Sequence, residues 1–255
     1  MPLPDDIRDL AEGILGRLDE ARDYYLHTRE AWRVVHQVAQ EGRSVGILNS
    51  ATGQDVPASD LETMAQRYVS VHLTESVFKG LSGNLEDWVM GLTRLWLTAY
   101  PVQLDAAYNE STERPRSQRR EEIQVPLSEI LAAPDRAAIL EGVVERVVRE
   151  LAYRRPLQWF RFLDNRVNLG CPDDSQKGTL CEMKAARDTL EHSGGLVGSD
   201  YIDKAGSFAR YAEGERIQIE ELYLLDSFAL LRLVVGAMTE AALRRSSGSS
   251  FGEND

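Results

Sequence analysis

Four times in this chain an Arg stands a few residues ahead of a His: Arg22–His27, Arg29–His36, Arg67–His72 and Arg187–His192. The two side chains together can do the work of a ribonuclease that uses no metal. An imidazole titrating near neutral pH moves a proton, and a guanidinium stabilises charge that builds on phosphorus. RNA brings its own nucleophile, the 2′-OH. With four His and 25 Arg among 255 residues, about one such pair is expected by chance. Spacing alone therefore selects nothing, and the surroundings must.

The first three pairs lie inside long helical patterns. Each α-helical residue turns by about 100°, so a five-residue step points two side chains roughly 140° apart. These pairs are read as helix-surface residues. Arg187–His192 differs, because Ser193-Gly194-Gly195 follows it as a C-cap signal. The sequence predicts a fraying last turn that frees His192 from ideal geometry. The helix C-terminus also favours a protonated imidazole. A His that merely stabilises a helix end is the competing reading.

The elements that must hold such a site read as helix nearly throughout. Ile7, Leu10, Ile14, Leu18, Tyr25, Trp32 and Val35 recur at three- and four-residue steps, with Asp5 or Asp6 to cap and Gly42 to end the helix. A loop over 43–59 has room for a short hairpin. Ser59, with Glu62 behind it, predicts a capped helix to about Lys79. Gly83-Asn84 predicts a break, and a second helix follows to Pro101. Residues 109–124 read as an exposed polar loop. Helices follow over 126–133, from Pro134 to Arg155, over 157–170 and from Thr179 to His192, with 171–178 as linker. Residues 196–219 read as irregular with a short extended piece, ahead of a strongly apolar helix over 220–245.

Composition narrows the function. A net charge of −12 and a pI near 4.9 exclude an extensive basic face of the kind that grips nucleic acid through phosphates. A small cationic cleft in an acidic body stays compatible. Cys171 and Cys181 have neither zinc-knuckle spacing nor partners for a disulfide framework, and are read as reduced thiols. The beginning lacks a basic-then-apolar leader, and no apolar run approaches about 18 residues. A cytoplasmic protein without membrane contact is expected.

The run from Arg187 onward carries a resemblance. Arg187, Asp188, His192, Gly195, Val197 and Tyr201, followed by Gly214, Ile217 and Ile219 leading into the last helix, resemble the closing signature of HEPN domains. Upstream, residues 77–101 and 125–163 are similar to the larger RiboL-PSP-type HEPN layout. The likeness spans about Leu61 to Leu243. It implies an all-α helical bundle of the HEPN type with an N-terminal helical extension: residues 1–58 as helix and loop, 59–245 as the domain, and 246–255 as a flexible tail. It implies a metal-independent endoribonuclease without cofactor, leaving a 2′,3′-cyclic phosphate. Arg187 would clamp the phosphate, His192 would move the proton and Asp188 would orient a neighbour. Most relatives carry Asn at the position of Asp188, whose charge works against a phosphate.

The resemblance further implies a two-fold homodimer that joins two Arg–His pairs in one cleft. Along the last helix, Leu224, Phe228, Leu231 and Val235 could serve the core and Leu225, Leu230, Val234 and Met238 a partner; a fully buried helix is the other reading. Tyr201, Lys204, Arg154 and Arg155, with Trp159 and the segment Arg114–Arg120, are candidate RNA contacts; solvated charge and core packing are the bland alternatives. A toxin or antiphage-defence role, with an antitoxin or defence partner, comes from the resemblance alone. The alternative is a non-catalytic HEPN-fold interaction module that binds a partner protein or nucleotide. A third reading makes residues 1–42 a regulatory docking arm.

Overall fold

Three- and four-residue apolar spacing turns nearly the whole chain into helices that share one core. The computed structural model describes residues 3–104 and 126–248. Helix α1 runs Leu3–Gln40. A loop pinned by a bridge between Leu48 and Asp55 leads to α2, Ala58–Arg67. A π-helical turn, Tyr68–Leu73, joins α2 to α3, Thr74–Ala99. Then come α4 (Leu127–Ala132), α5 (Arg136–Ala152), α6 (Pro156–Arg166), α7 (Asp174–His192), α8 (Ser199–Ala205) and α9 (Glu221–Gly248). The protein is an all-α helical bundle.

Helix α3 is the axis. It packs against α1, α5, α7 and α9 and buries Phe78, Leu81, Leu85, Trp88 and Leu92 in the common core. That continuous stripe explains why Gly83-Asn84 does not interrupt the helix: burial of the residues on either side outweighs a local propensity cost of about 1 kcal/mol for Gly. Ser59 does not cap α2, whose N-cap position is Pro57. Helix α7 starts earlier than Thr179, because Asp173 and Gln176 form a reciprocal capping box: the Gln176 N–H donates to Asp173 at 2.8 Å and the Asp173 N–H to the Gln176 side chain at 3.0 Å. Within the stretch read as irregular, α8 forms, and Val197 pairs with Gly214 and Glu215 through backbone hydrogen bonds.

Residues 1–58 are no separate unit. Ile7, Ala11, Ile14, Leu18 and Tyr25 of α1 belong to the same core as α3 and α9, so α1 is a structural helix and not a docking arm. Only its far end builds a satellite cluster, where Ala39 meets Val56 and Leu61. On α9 the expected division fails in part: Val234 and Met238 are as deeply buried as Leu224, Phe228, Leu231 and Val235, and Leu225 and Leu230 pack on the core's edge. By length and hydropathy α9 would pass for a membrane span. It also touches α1, α3 and α7, while Leu222 and Leu233 on it stay exposed. Residues 246–248 continue α9 instead of starting a tail; the segment Arg114–Arg120 and the rest of the expected tail lie outside the described residues.

Candidate active site

Helix α7 carries the site because one stripe of it faces a cavity of about 470 Å³. Cys181, Lys184, Asp188 and His192 follow one another at three- and four-residue steps along that stripe, and Arg187 stands on its flank. At about 100° per residue, these side chains fit within an arc of roughly 140°. The wall opposite is Lys204 of α8, together with Arg154 and Arg155 in the turn between α5 and α6. One cavity thus gathers Arg187, Asp188, His192, Lys204, Arg154 and Arg155.

The expected mechanism of placement was different. No frayed turn is present: α7 is helical through His192, and the Ser193 and Gly195 N–H groups both donate to the Thr189 carbonyl at 3.0 Å. Gly194 and Gly195 take left-handed φ values of 57° and 85°, which close the helix sharply. His192 reaches the cavity because it sits one turn beyond Asp188 on the same stripe. Its imidazole is exposed and makes no hydrogen bond or ion pair among the described residues.

Asp188 is the electrostatic hub. Its carboxylate accepts from Lys184 Nζ at 2.6 Å, from Arg187 Nη1 at 3.1 Å and from Lys204 Nζ at 3.4 Å. Burial alone would push this carboxyl up, but the Lys184 hydrogen bond and charge, followed by Arg187 and Lys204, outweigh it and hold Asp188 below its ordinary value. Its negative charge is therefore spent on three cations. Lys184 is a residue that the sequence reading missed; the signal was its four-residue step to Asp188. Arg187 is also bound by Glu191 at 2.6 Å, while its Nε is sealed from solvent and has no hydrogen-bond partner among the described residues. Lys204 takes a second carboxylate, Asp200, at 2.7 Å. Arg155 donates to the Asp203 carbonyl at 3.3 Å, which ties the α5–α6 turn to α8.

Two proposed base-stacking residues are corrected. Tyr201 is 1% exposed; its hydroxyl donates to Glu182 at 2.7 Å and accepts from the Arg210 N–H at 3.0 Å. Trp159 is fully buried and donates to the Leu151 carbonyl at 2.9 Å. Neither ring can meet a base. Tyr201 instead anchors α8. Glu182, itself buried, also accepts from Tyr223, and the Arg210 guanidinium lies 3.5 Å above the Tyr223 ring. Burial raises the Glu182 carboxyl, only partly offset by its two tyrosine donors and the Arg210 charge. Phe208 completes the anchor by seating its ring on Gly178, where a Cβ would lie 2.2 Å from it. Cys171 and Cys181 are both free thiols, pushed up by burial.

Arg187–His192 is itself a five-residue step on a regular helix, so the roughly 140° between two such side chains does not keep a pair from lining one cavity. Arg29–His36 is a seven-residue step, which returns the two side chains to within about 20° of each other. They do share a cavity, on a different face of the bundle. Compared with models of known families, with curated proteins and with solved structures, the chain gives no significant match.

Proposed function

We propose that this chain is a metal-independent endoribonuclease of the HEPN type, acting in the cytoplasm as a two-fold homodimer, in toxin–antitoxin or antiphage-defence chemistry. The observation that supports it is the single cavity shared by Arg187, His192, Lys204, Arg154 and Arg155. In this reading His192 moves the proton of the 2′-OH or of the leaving oxygen. Arg187 meets the charge on phosphorus, and dimerisation brings a second Arg–His pair to the same phosphate. Asp188 is the internal counter-ion that holds Lys184, Arg187 and Lys204 apart in fixed positions. Lys204, Arg154 and Arg155 lie along the path of the strand.

A second reading rests on the ion pairs of Arg187. With Asp188 and Glu191 both on its guanidinium, the cleft also suits a non-catalytic module that binds a partner. RNA cleavage in EDTA decides between them. Wild type should cleave, and Arg187→Ala and His192→Ala should each lose about 10²-fold or more. His27→Ala, on the α1 surface, should cleave as wild type. Equal residual cleavage in wild type and both cleft variants would leave the binding module.

A further inference from the structure

One face of α1 opens on a second cavity, of about 490 Å³. Tyr25, Arg29, Trp32, Arg33 and His36 share an arc of about 100° on that helix. Facing them are Val69 and Ser70 of the π-turn and Glu221, the first residue of α9. An inner lobe of about 350 Å³ shares Val69, Ser70 and Glu221 and is lined by Tyr25 and Thr74. The two lobes adjoin along Val69, Ser70 and Glu221.

The groups that line them differ. Arg29, Arg33 and His36 put three basic side chains in the outer lobe, each steadied from the side by a carboxylate: Glu30 and Glu221 for Arg29, Glu30 for Arg33 and Glu62 for His36. Half-buried Trp32 is braced edge-on by Tyr68, with ring centroids 4.9 Å apart and planes at 87°. In the inner lobe the Tyr25 hydroxyl is completely buried, with the charged Arg29 guanidinium beside it. The π-turn shapes this wall. Ser70 donates to the Gln66 carbonyl at 2.9 Å, and Thr74 to the Ser70 and Val71 carbonyls at 3.2 and 3.1 Å. Their hydroxyls thereby satisfy a widened turn of a kind that recurs at functional sites.

We propose that this groove binds a small phosphate monoester that carries a planar ring. The phosphate meets Arg33, Arg29 and His36, whose forked and ring N–H donors suit its oxygens. The ring lies against Trp32. Glu221, which borders both lobes, accepts from a ligand hydroxyl. The volume is in the range of small-molecule sites. This site is separate from the α7 cavity and does not depend on the ribonuclease reading.

Trp32 supplies the readout, because Trp88, Trp96 and Trp159 are at most 4% exposed. Intrinsic fluorescence of the full chain is titrated with AMP, phenyl phosphate, inorganic phosphate and adenosine. AMP and phenyl phosphate should give saturable changes, with inorganic phosphate and adenosine each at least about tenfold weaker, since each lacks one of the two anchors. Arg33→Ala and His36→Ala should each weaken AMP roughly fivefold or more. Arg33 is 76% exposed, so its variant keeps the fold, which circular dichroism checks. Arg187→Ala should leave AMP affinity unchanged. The proposal is overturned if neither ester binds at about millimolar concentration, if phosphate binds as well as AMP, or if Arg187→Ala abolishes binding while Arg33→Ala does not.

Discussion

Replacing Glu182 gives the sharpest test of how the site is held together. Glu182→Leu removes the acceptor of two hydrogen bonds and leaves the Tyr201 and Tyr223 hydroxyls without it. Each stranded donor costs about 1–3 kcal/mol, partly offset because the buried carboxylate no longer has to be desolvated. A net loss of about 2–4 kcal/mol follows, or roughly 5–10 °C in Tm for a chain of this size. Glu182→Gln keeps an acceptor and should stay within about 1 kcal/mol of wild type near pH 5. The sign of the pH dependence is fixed by burial. The folded Glu182 carboxyl is raised above its ordinary value of 4.5, so the folded state holds a proton that the unfolded state has released. Wild type therefore loses stability as pH rises from about 4.5 through the raised value, at up to about 1.4 kcal/mol per pH unit. The Gln variant lacks this loss and should gain on wild type between pH 5 and 8. Thermal melts of the three proteins across that range measure both effects. Equal destabilisation by Gln and Leu, or a wild-type-to-Gln difference that is flat with pH, would refute this account of the anchor.

The other predictions concern neighbouring parts. Asp188→Asn should cost about 1–3 kcal/mol at pH 7, because three cations lose their carboxylate; acid unfolding followed by circular dichroism should show that this contribution, present above the ordinary carboxyl value of 3.8, vanishes in wild type as pH falls through the depressed value and is absent from Asn throughout. Gly178→Ala should drive the Phe208 ring off α7 and cost roughly 1–2 kcal/mol, with faster proteolysis over 206–219; unchanged cleavage there would mean that the ring does not hold residues 206–219 against α7. Ile14→Ala should cost about 2–4 kcal/mol, and removal of residues 1–42 should unfold the remainder; a folded truncation would restore the view of α1 as an arm. Arg94→Met breaks only the half-exposed pair with Glu145 and should change stability by no more than about 1 kcal/mol.

Helical class was legible because apolar period alone decides it. The stripes from Ile7 to Tyr25 and from Leu85 to Trp96, and the caps at Gly194-Gly195, appear in the sequence as they do in the bundle. Arg187, Asp188 and His192 were picked out by local order and resemblance, and the fold places all three on one cavity. What the sequence could not show is which faces meet. Tyr201 reads as a loop aromatic and turns out to be a buried anchor, because Glu182, 19 residues earlier, takes its hydroxyl. Val234 and Met238 read as a spare face of α9, yet both are at most 1% exposed in the common core. Lys204 becomes a partner of Asp188 only when α8 folds back on α7, whereas Lys184 meets it within α7 at a four-residue step. Arg29 and His36 become one groove only when the π-turn and the start of α9 close over α1. A helix's own periodicity is written along the chain, but the neighbour that covers each side is a long-range contact, and tertiary packing alone decides it.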